Sequence, residues 1–186
     1  ASDGATTRVL SPVTEQPIGT APQATVADAE TAIAAAERGL VAWRKTPAFD
    51  RADALHRIAD AMLGCADRAA RIISTETGRP LAQSQREWVL STDQFRWHAE
   101  EARRIYGRIV ESRAPGGRFE IHHEPVGVVA AFTAWNFPAV LAARKVAPAL
   151  AAGCSVIVRP SSQTPGSVMI LFECLRAANL PEGTVG

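Results

Sequence analysis

The chain has 186 residues, which is enough for one domain with a sizeable hydrophobic core. Its 20 basic and 19 acidic side chains nearly cancel and form no long run of one sign, which argues against a nucleic-acid partner or an anionic membrane surface. No apolar stretch reaches the roughly 18 residues of a spanning helix, so we expect no membrane partner. Three cysteines without a CxxC spacing, and an N-terminus unlike a signal peptide, predict free thiols and a cytoplasmic location.

The first half of the chain is predicted to be mainly helical. A short hairpin is expected within Val9 to Thr20. Apolar residues then recur at helical spacing, with Thr25 as the predicted N-cap of the first helix and Thr46-Pro47 as the cap and first-turn proline of the second. A further helix is expected to end near Gly78, and a long helix to cover Leu81 to Ile105.

A second β-hairpin is predicted from Arg108 to His123, with Pro115-Gly116-Gly117 as its turn. His122 and His123 are adjacent on the predicted strand, so their side chains point to opposite faces. With the other two histidines isolated in the sequence, we expect no metal site.

A strand, a crossover helix and a second strand are predicted next. Val126 to Phe132 and Ser155 to Val158 are the apolar strands, and Pro138 and Gly153 bound the Ala- and Leu-rich helix between them. Crossovers of this kind join parallel strands. The turns after the two strands should therefore lie at the same carboxyl edge of the sheet, where open α/β sheets bind ligands.

The end of the chain is predicted to be a helix from Thr164-Pro165 to about Asn179. Leu180 to Gly186 is then expected to turn towards a strand that the chain does not contain. Two parallel strands alone leave apolar surface and strand edges uncovered. The sequence therefore predicts either a longer polypeptide or a partner chain, and residues 1–186 alone are expected to be inactive.

Asn136 is the strongest catalytic candidate in the sequence. Its side-chain amide donates hydrogen bonds without titrating, and at a strand-end turn it could stabilise a developing oxyanion. The alternative is an asparagine that caps the helix or shapes the turn. Trp135 beside it could form the wall of a cofactor pocket or simply pack in the core.

The cysteines and the strand-end turns exclude some chemistries. Cys154 at the start of a buried strand, Cys174 in an apolar helix and Cys65 in an Ala-rich helix are interpreted as structural residues. Residues 133–137 contain no glycine, so an ordinary Rossmann reductase with a GxGxxG turn is disfavoured.

Several motifs together resemble the aldehyde dehydrogenase superfamily, over essentially the whole chain. The turn Trp135 to Pro138, the crossover helix with Lys145 to Cys154, and the second turn Arg159 to Pro165 are similar to that family's N-terminal, cofactor-binding part. The helical segments Thr75 to Leu81 and His98 to Gly107 also fit. Within the family, the Tyr106-Gly107 segment and the Ser-Ser turn most resemble the succinate-semialdehyde dehydrogenase branch.

The resemblance implies an α/β fold, with part of a Rossmann-like cofactor-binding domain. Residues 1–107 and 125–186 would form the N-terminal helices and the first βαβα of that domain. Residues 108–124 would be a protruding oligomerisation hairpin, which implies a homo-oligomer, a dimer or tetramer; the alternative is a surface hairpin on a monomer. The catalytic domain, with the nucleophilic cysteine, the general-base glutamate and the second cofactor turn, would lie beyond residue 186.

The resemblance also assigns site residues. Asn136 would help form the oxyanion hole, and Lys145 would belong to a proton relay; a solvent-facing helix lysine is its alternative. The cofactor would contact residues of both strand-end turns: Thr133, Trp135, Asn136, Arg159, Pro160, Ser161 and Ser162.

The cofactor is expected to be NADP in preference to NAD. Arg159 stands where the family has a lysine, and its guanidinium would bind a phosphate. Ser162 stands where an acidic residue would repel the 2′-phosphate. A strand-end arginine that faces solvent is the alternative for Arg159.

The implied activity is oxidation of a small-molecule aldehyde, with succinate semialdehyde as the candidate, to a carboxylic acid with NAD(P)+ through a cysteine thiohemiacetal. The rival hypothesis is a truncated, non-catalytic homologue that serves as a nucleotide-binding or oligomerisation module.

Overall fold

The computed structural model describes residues 4–186. Its two main parts are a helical part, residues 26–102, and a parallel β-sheet unit, residues 128–186. The helical part is preceded by an antiparallel pair, β1 and β2. A second antiparallel pair, β3 and β4, separates the helices from the sheet unit. In chain order the elements are β1 Thr6–Leu10, β2 Pro17–Pro22, α1 Val26–Trp43, α2 Ala48–Gly64, α3 Ala66–Thr77, α4 Leu81–Ala102, β3 Arg108–Glu111, β4 Arg118–Ile121, β5 Val128–Phe132, α5 Pro138–Ala151, β6 Ser155–Arg159 and α6 Pro165–Arg176.

The start of α1 confirms the predicted cap. The Thr25 hydroxyl accepts the Asp28 amide at 3.2 Å, and the Asp28 carboxylate accepts the Thr25 amide at 2.9 Å, which is a reciprocal capping box. The predicted cap of α2 is wrong by one residue. Pro47 occupies the N-cap position, and the Thr46 hydroxyl instead donates back to the Ala42 carbonyl at the end of α1.

Two predicted helix ends are too late. The long helix α4 ends at Ala102 rather than Ile105, because a tight turn follows in which the Tyr106 amide donates to the Arg104 carbonyl. The last helix, α6, ends at Arg176, and Asn179 beyond it has a left-handed backbone with φ of 51°. Frayed ends of this kind carry little sequence signal.

The core lies between the helical part and the sheet unit. Helix α4 packs against α2 on one side and α5 on the other, and its Trp88 and Phe95 side chains are fully buried. The indole of Trp43 donates to the Leu150 carbonyl at 3.1 Å, and that of Trp88 to the Met62 carbonyl at 2.8 Å. Burial with a satisfied polar tip is the usual state of a core tryptophan.

The sheet unit confirms the predicted strand, crossover helix and strand. Strands β5 and β6 pair in parallel, with Phe132 opposite Arg159 at the carboxyl edge. The predicted first strand begins too early, because Val126 is 90% exposed and Gly127 takes a left-handed φ of 123° that interrupts an extended run.

The sheet unit has two strands, as predicted, and the last residues of the chain only begin to extend it. Val185 forms a parallel bridge with Val156, and the Gly186 carbonyl accepts the Val158 amide at 2.7 Å. The last residues thus begin to pair along the free edge of β6 without forming a third strand. The turn before them lies directly against α1, since a Cβ on Gly39 would come within 2.2 Å of the Gly183 carbonyl carbon.

The hairpin of β3 and β4 projects from the body. All eight strand residues are exposed, including Ile109 and Phe119. The antiparallel pairing agrees with the predicted hairpin, whereas a role in oligomerisation stays a prediction.

Residues 4–186 contain neither a membrane-spanning helix nor a cluster of metal-ligating side chains. No helix there is long and apolar enough to cross a membrane. Nor do three or more His, Cys, Asp or Glu side chains gather there as a metal site would require.

Candidate functional site

The two strand-end turns meet at the carboxyl edge of the sheet. The Thr133 amide, directly after β5, donates to the Arg159 carbonyl at the end of β6, at 3.2 Å. Residues 133–137 and 159–164 are therefore neighbouring loops, each followed by a helix that starts with a proline. The two groups of predicted site residues share one edge of the sheet.

Asn136 is exposed at this edge, and its side chain makes no hydrogen bond within residues 4–186. The alternative of a capping asparagine is wrong, because Phe137 is the N-cap residue of α5 and no side chain of the turn caps the helix. The amide of Asn136 is consequently free to donate to a ligand. Its backbone carbonyl is held, because it accepts a hydrogen bond from the Arg79 guanidinium.

A glutamate from α4 caps α5 instead. The Glu87 Oε1 atom accepts the amides of Ala139 at 3.0 Å and Val140 at 3.3 Å, and its second oxygen pairs with Arg79. Burial raises the pKa of the Glu87 carboxyl, although the amides and the Arg79 guanidinium oppose that rise. The Arg79 guanidinium also lies over the Phe137 ring, 4.3 Å from its centroid. It therefore contacts both the capping carboxylate of Glu87 and the turn before α5.

A second buried glutamate caps α6 in the same way. The Glu76 carboxylate, near the end of α3, accepts the amides of Gly166 at 2.6 Å and Ser167 at 3.3 Å. Burial raises the pKa of Glu76, and the two backbone hydrogen bonds oppose that rise. Both helices that start at the sheet edge are therefore positioned by carboxylates from the helical part.

A cavity of about 640 Å³ opens beside the edge and connects the two turns. Trp135 and Ser162 both line it, together with Thr164 and with residues of the β1–β2 hairpin such as Arg8. Trp135 is 57% exposed, so its alternative as a core residue is wrong.

Two threonine hydroxyls at this edge are buried without a hydrogen-bond partner in residues 4–186, those of Thr133 and Thr164. Buried hydroxyls are rarely left unpaired in the absence of a ligand, water or further protein. The hydroxyls of Ser155 and Thr184, away from this edge, are unpaired as well, so the two threonines alone do not mark a ligand site.

The residues of the second turn, 159–162, differ in their surroundings. Arg159 and Ser162 are exposed, and Arg159 forms no ion pair with any acidic group of residues 4–186. The Ser161 hydroxyl accepts the Gln163 amide at 3.3 Å. Pro160 does not line the cavity of Trp135 and Ser162 but a separate one of about 480 Å³.

Lys145 lies within α5, away from the turn. Its side chain is half-buried, and its ammonium group is 3.5 Å from the Leu141 carbonyl. Both the proton-relay lysine and the solvent-facing helix lysine therefore stay predictions. No contact joins Lys145 to Asn136 within the described residues.

The cysteines are only partly as predicted. Cys154 and Cys174 are buried, as expected, and Cys154 lies at the opposite end of β6 from Arg159. Cys65 is not inside a helix but at the junction of α2 and α3, where it ends one and begins the other.

Sequence reasoning missed Glu76, Arg79 and Glu87. A signal was present for Glu87, which shares the inner face of α4 with Trp88 and Ser91, so it is a charge on an otherwise buried face. Glu76 likewise follows Ile73 on the buried face of α3. What their partners are could not be read from the sequence, because the partner amides are 52 and 90 residues away.

The fold and the site define a class of protein. A sequence profile described as the aldehyde dehydrogenase family matches residues 1–186. The chain belongs to this family and corresponds to its N-terminal portion.

Two of the similar proteins are named as semialdehyde dehydrogenases. The chain is 41% identical over 185 residues to glutarate-semialdehyde dehydrogenase of Pseudomonas putida, covering 100% of this chain and 38% of that protein. It is 38% identical over 183 residues to the NADP(+) succinate-semialdehyde dehydrogenase of Escherichia coli, covering 98% and 38%. A crystal structure of an aldehyde dehydrogenase from Brucella melitensis superposes with a TM-score of 0.97 at 40% identity, covering 100% of this chain and 38% of that one.

The chain thus spans a little over a third of the length of these relatives.

Proposed function

We propose that the whole protein oxidises an aldehyde to a carboxylic acid with NAD(P)+, and that this chain supplies part of its cofactor site and one oxyanion donor. The observation that carries the proposal is the shared strand edge, where an unbonded Asn136 amide, the orphaned Thr133 hydroxyl and an unpaired Arg159 lie on adjoining turns. Family membership supplies the reaction class.

Asn136 would donate its amide to the oxygen of the aldehyde as negative charge develops there. A hydrogen-bond donor that is already in place stabilises the transition state more than one that must first reorganise. The Asn136 carbonyl is bound by Arg79, and the start of α5 is bound by Glu87, so the backbone of this turn is held from the helical part. The nucleophile and general base would come from residues outside this chain. Lys145 is proposed to belong to a proton relay in the whole protein.

The cofactor site would use both turns. Bound NAD(P)+ would accept the hydride from the substrate. Thr133 and the Trp135 ring would contact the cofactor, and Arg159 with residues 160–162 would contact its adenosine ribose. Because Ser162 carries no charge and Arg159 is cationic, a 2′-phosphate would be tolerated, which favours NADP.

The proposed substrate is the semialdehyde of a dicarboxylic acid, which carries one carboxylate and one aldehyde group. Succinate semialdehyde is the first candidate and glutarate semialdehyde the second, since both compounds appear in the names of relatives. The exposed hairpin of β3 and β4 is proposed to pair with a second copy in a homo-oligomer. Its exposed apolar residues would thereby be covered.

The test is turnover by the purified whole protein. We expect NADPH to appear with succinate or glutarate semialdehyde, faster than with butanal, a neutral aldehyde of similar length. Binding of NADP without turnover of any of the three aldehydes would instead support the rival function, a nucleotide-binding module without catalysis. The position of Cys154 supports this rival function for residues 4–186. Cys154 lies at the start of β6, whereas a nucleophile would be needed at the carboxyl edge.

A further inference from the structure

Two cysteines that are distant in sequence are in contact. The Sγ atoms of Cys65 and Cys174 are 3.4 Å apart, although 109 residues separate them. Cys65 joins α2 to α3 and is half-buried, whereas Cys174 lies in the last turn of α6 and is buried. A disulfide bond is about 2 Å long, so only a small movement of the two sulfurs would be needed to form one.

The surroundings of the pair act on its thiols in opposite directions, because a cation lies nearby while burial opposes ionisation. Arg68, one helical turn after Cys65, forms an ion pair with Glu173, the neighbour of Cys174. Its guanidinium attracts both thiols electrostatically. Burial, followed by the hydrogen bond and charge of Cys65, raises the pKa of Cys174 to about 12. Cys174 is therefore protonated at neutral pH, and the more exposed Cys65 is the sulfur that an external reagent reaches.

We propose that Cys65 and Cys174 are a redox site, which a peroxide converts to a reversible disulfide within the native fold. The Cys65 thiolate attacks one peroxide oxygen, the O–O bond breaks, and a sulfenic acid forms with loss of water. The sulfur of Cys174 then attacks the Cys65 sulfur. The S–O bond breaks as the S–S bond forms, and a second water leaves. Two thiols lose two electrons and two protons, and the peroxide is reduced to two waters.

The disulfide would join the junction of α2 and α3 to α6, which starts at the candidate site. It would thus tie the helical part to the sheet unit by a covalent bond in addition to the Glu76 cap. The proposal does not depend on dehydrogenase activity. Cys154 provides an internal control, because it is buried and has no cysteine partner within residues 4–186.

The experiment is peptide mapping of the native whole protein after brief treatment with hydrogen peroxide, followed by alkylation and non-reducing digestion. We expect the peptide with Cys65 to be linked to the peptide with Cys174, with a loss of two hydrogens that dithiothreitol reverses. Trypsin cuts poorly before Pro160, so the peptide with Cys174 also carries Cys154. A Cys154→Ser variant, mapped in parallel, assigns the bond.

A Cys174→Ser variant should stop at the sulfenic acid of Cys65, which a 1,3-diketone would trap. Cys174→Ala is the alternative if serine disturbs the fold at this buried position. Under the same treatment, recovery of Cys65 and Cys174 as separate alkylated thiols would overturn the proposal. Oxidation of Cys65 to a sulfinic acid without the linked peptide would overturn it as well.

Discussion

Arg79 and Glu87 form an ion pair that is almost fully shielded from solvent, with side-chain exposures of 15% and 1%. The pair joins the loop before α4 to the start of α5, because Glu87 also binds the Ala139 amide and Arg79 also binds the Asn136 carbonyl. The turn that carries Asn136 is therefore positioned by two side chains from another part of the fold.

Replacing Arg79 should affect catalysis and stability in different ways. Arg79→Lys keeps the charge but loses the planar fork that serves two acceptors, so Asn136 should be less well positioned. We expect kcat of the whole enzyme to fall about ten- to a hundredfold, with a small change in melting temperature. Arg79→Met should instead cost about 3 kcal/mol or more of folding free energy, since Glu87 stays buried without its counter-ion. Arg71→Lys, on the exposed face of α3, is the control and should change neither quantity.

Removal of the Asn136 amide tests the proposed oxyanion donor. Asn136→Ala should lower kcat by about 10² to 10³-fold, the effect of losing one such donor. NADP affinity should change little, because the side-chain amide is proposed to donate to the aldehyde oxygen and not to the cofactor. Melting temperature should change little, because the side chain makes no hydrogen bond within residues 4–186. Gln85→Ala, which removes an exposed amide from α4, should leave kcat unaltered. A loss of cofactor binding and stability in Asn136→Ala would show that the residue has a structural role.

The cofactor preference can be tested with a single charge. Ser162→Glu would place a carboxylate against the 2′-phosphate, and we expect NADP affinity to fall about ten- to a hundredfold. NAD should lose little, because its free 2′-hydroxyl can donate to the new carboxylate. Titration of both cofactors against wild type, Ser162→Glu and the remote charge control Gln85→Glu measures the difference. An equal loss for the two cofactors would mean that Ser162 does not face the 2′ position.

Glu76 gives a prediction for stability at neutral pH. Glu76→Ala should cost about 2 to 3 kcal/mol, because the buried amides of Gly166 and Ser167 lose their acceptor. Glu76→Gln keeps one acceptor oxygen and removes a buried charge, so it should be less destabilising. Glu37→Ala, on an exposed face of α1, should stay within about 0.5 kcal/mol of wild type. Denaturant unfolding of the whole protein measures all three, and equal costs for the alanine and glutamine variants would contradict the capping role.

The same residue predicts a pH dependence. The folded pKa of Glu76 is raised above its ordinary value of 4.5, so its contribution to stability is fully present below that value. That contribution is lost as the pH rises through the higher folded pKa. The stability of wild type relative to Glu76→Gln should therefore decline across this window. A relative stability that increases with pH there would contradict the direction of the shift.

Local patterns in the sequence were sufficient for most of the elements. The N-cap at Thr25, the helical spacing of apolar residues and the apolar runs of the two parallel strands each depend on residues close together in the chain. The motifs of the two turns identified the family. Because parallel pairing follows from the crossover, the sequence also predicted that residues 133–137 and 159–162 share an edge.

Only the tertiary structure decided how that edge is held. The caps of α5 and α6 come from Glu87 and Glu76, and the contact of Cys65 with Cys174 spans 109 residues. Contacts of this kind depend on how the helices pack against the sheet unit, and no periodicity along the chain records which side chains then meet. Sequence alone therefore determined which residues lie at the carboxyl edge of the sheet. Packing between distant segments determined which of their polar groups form hydrogen bonds with other side chains and which do not.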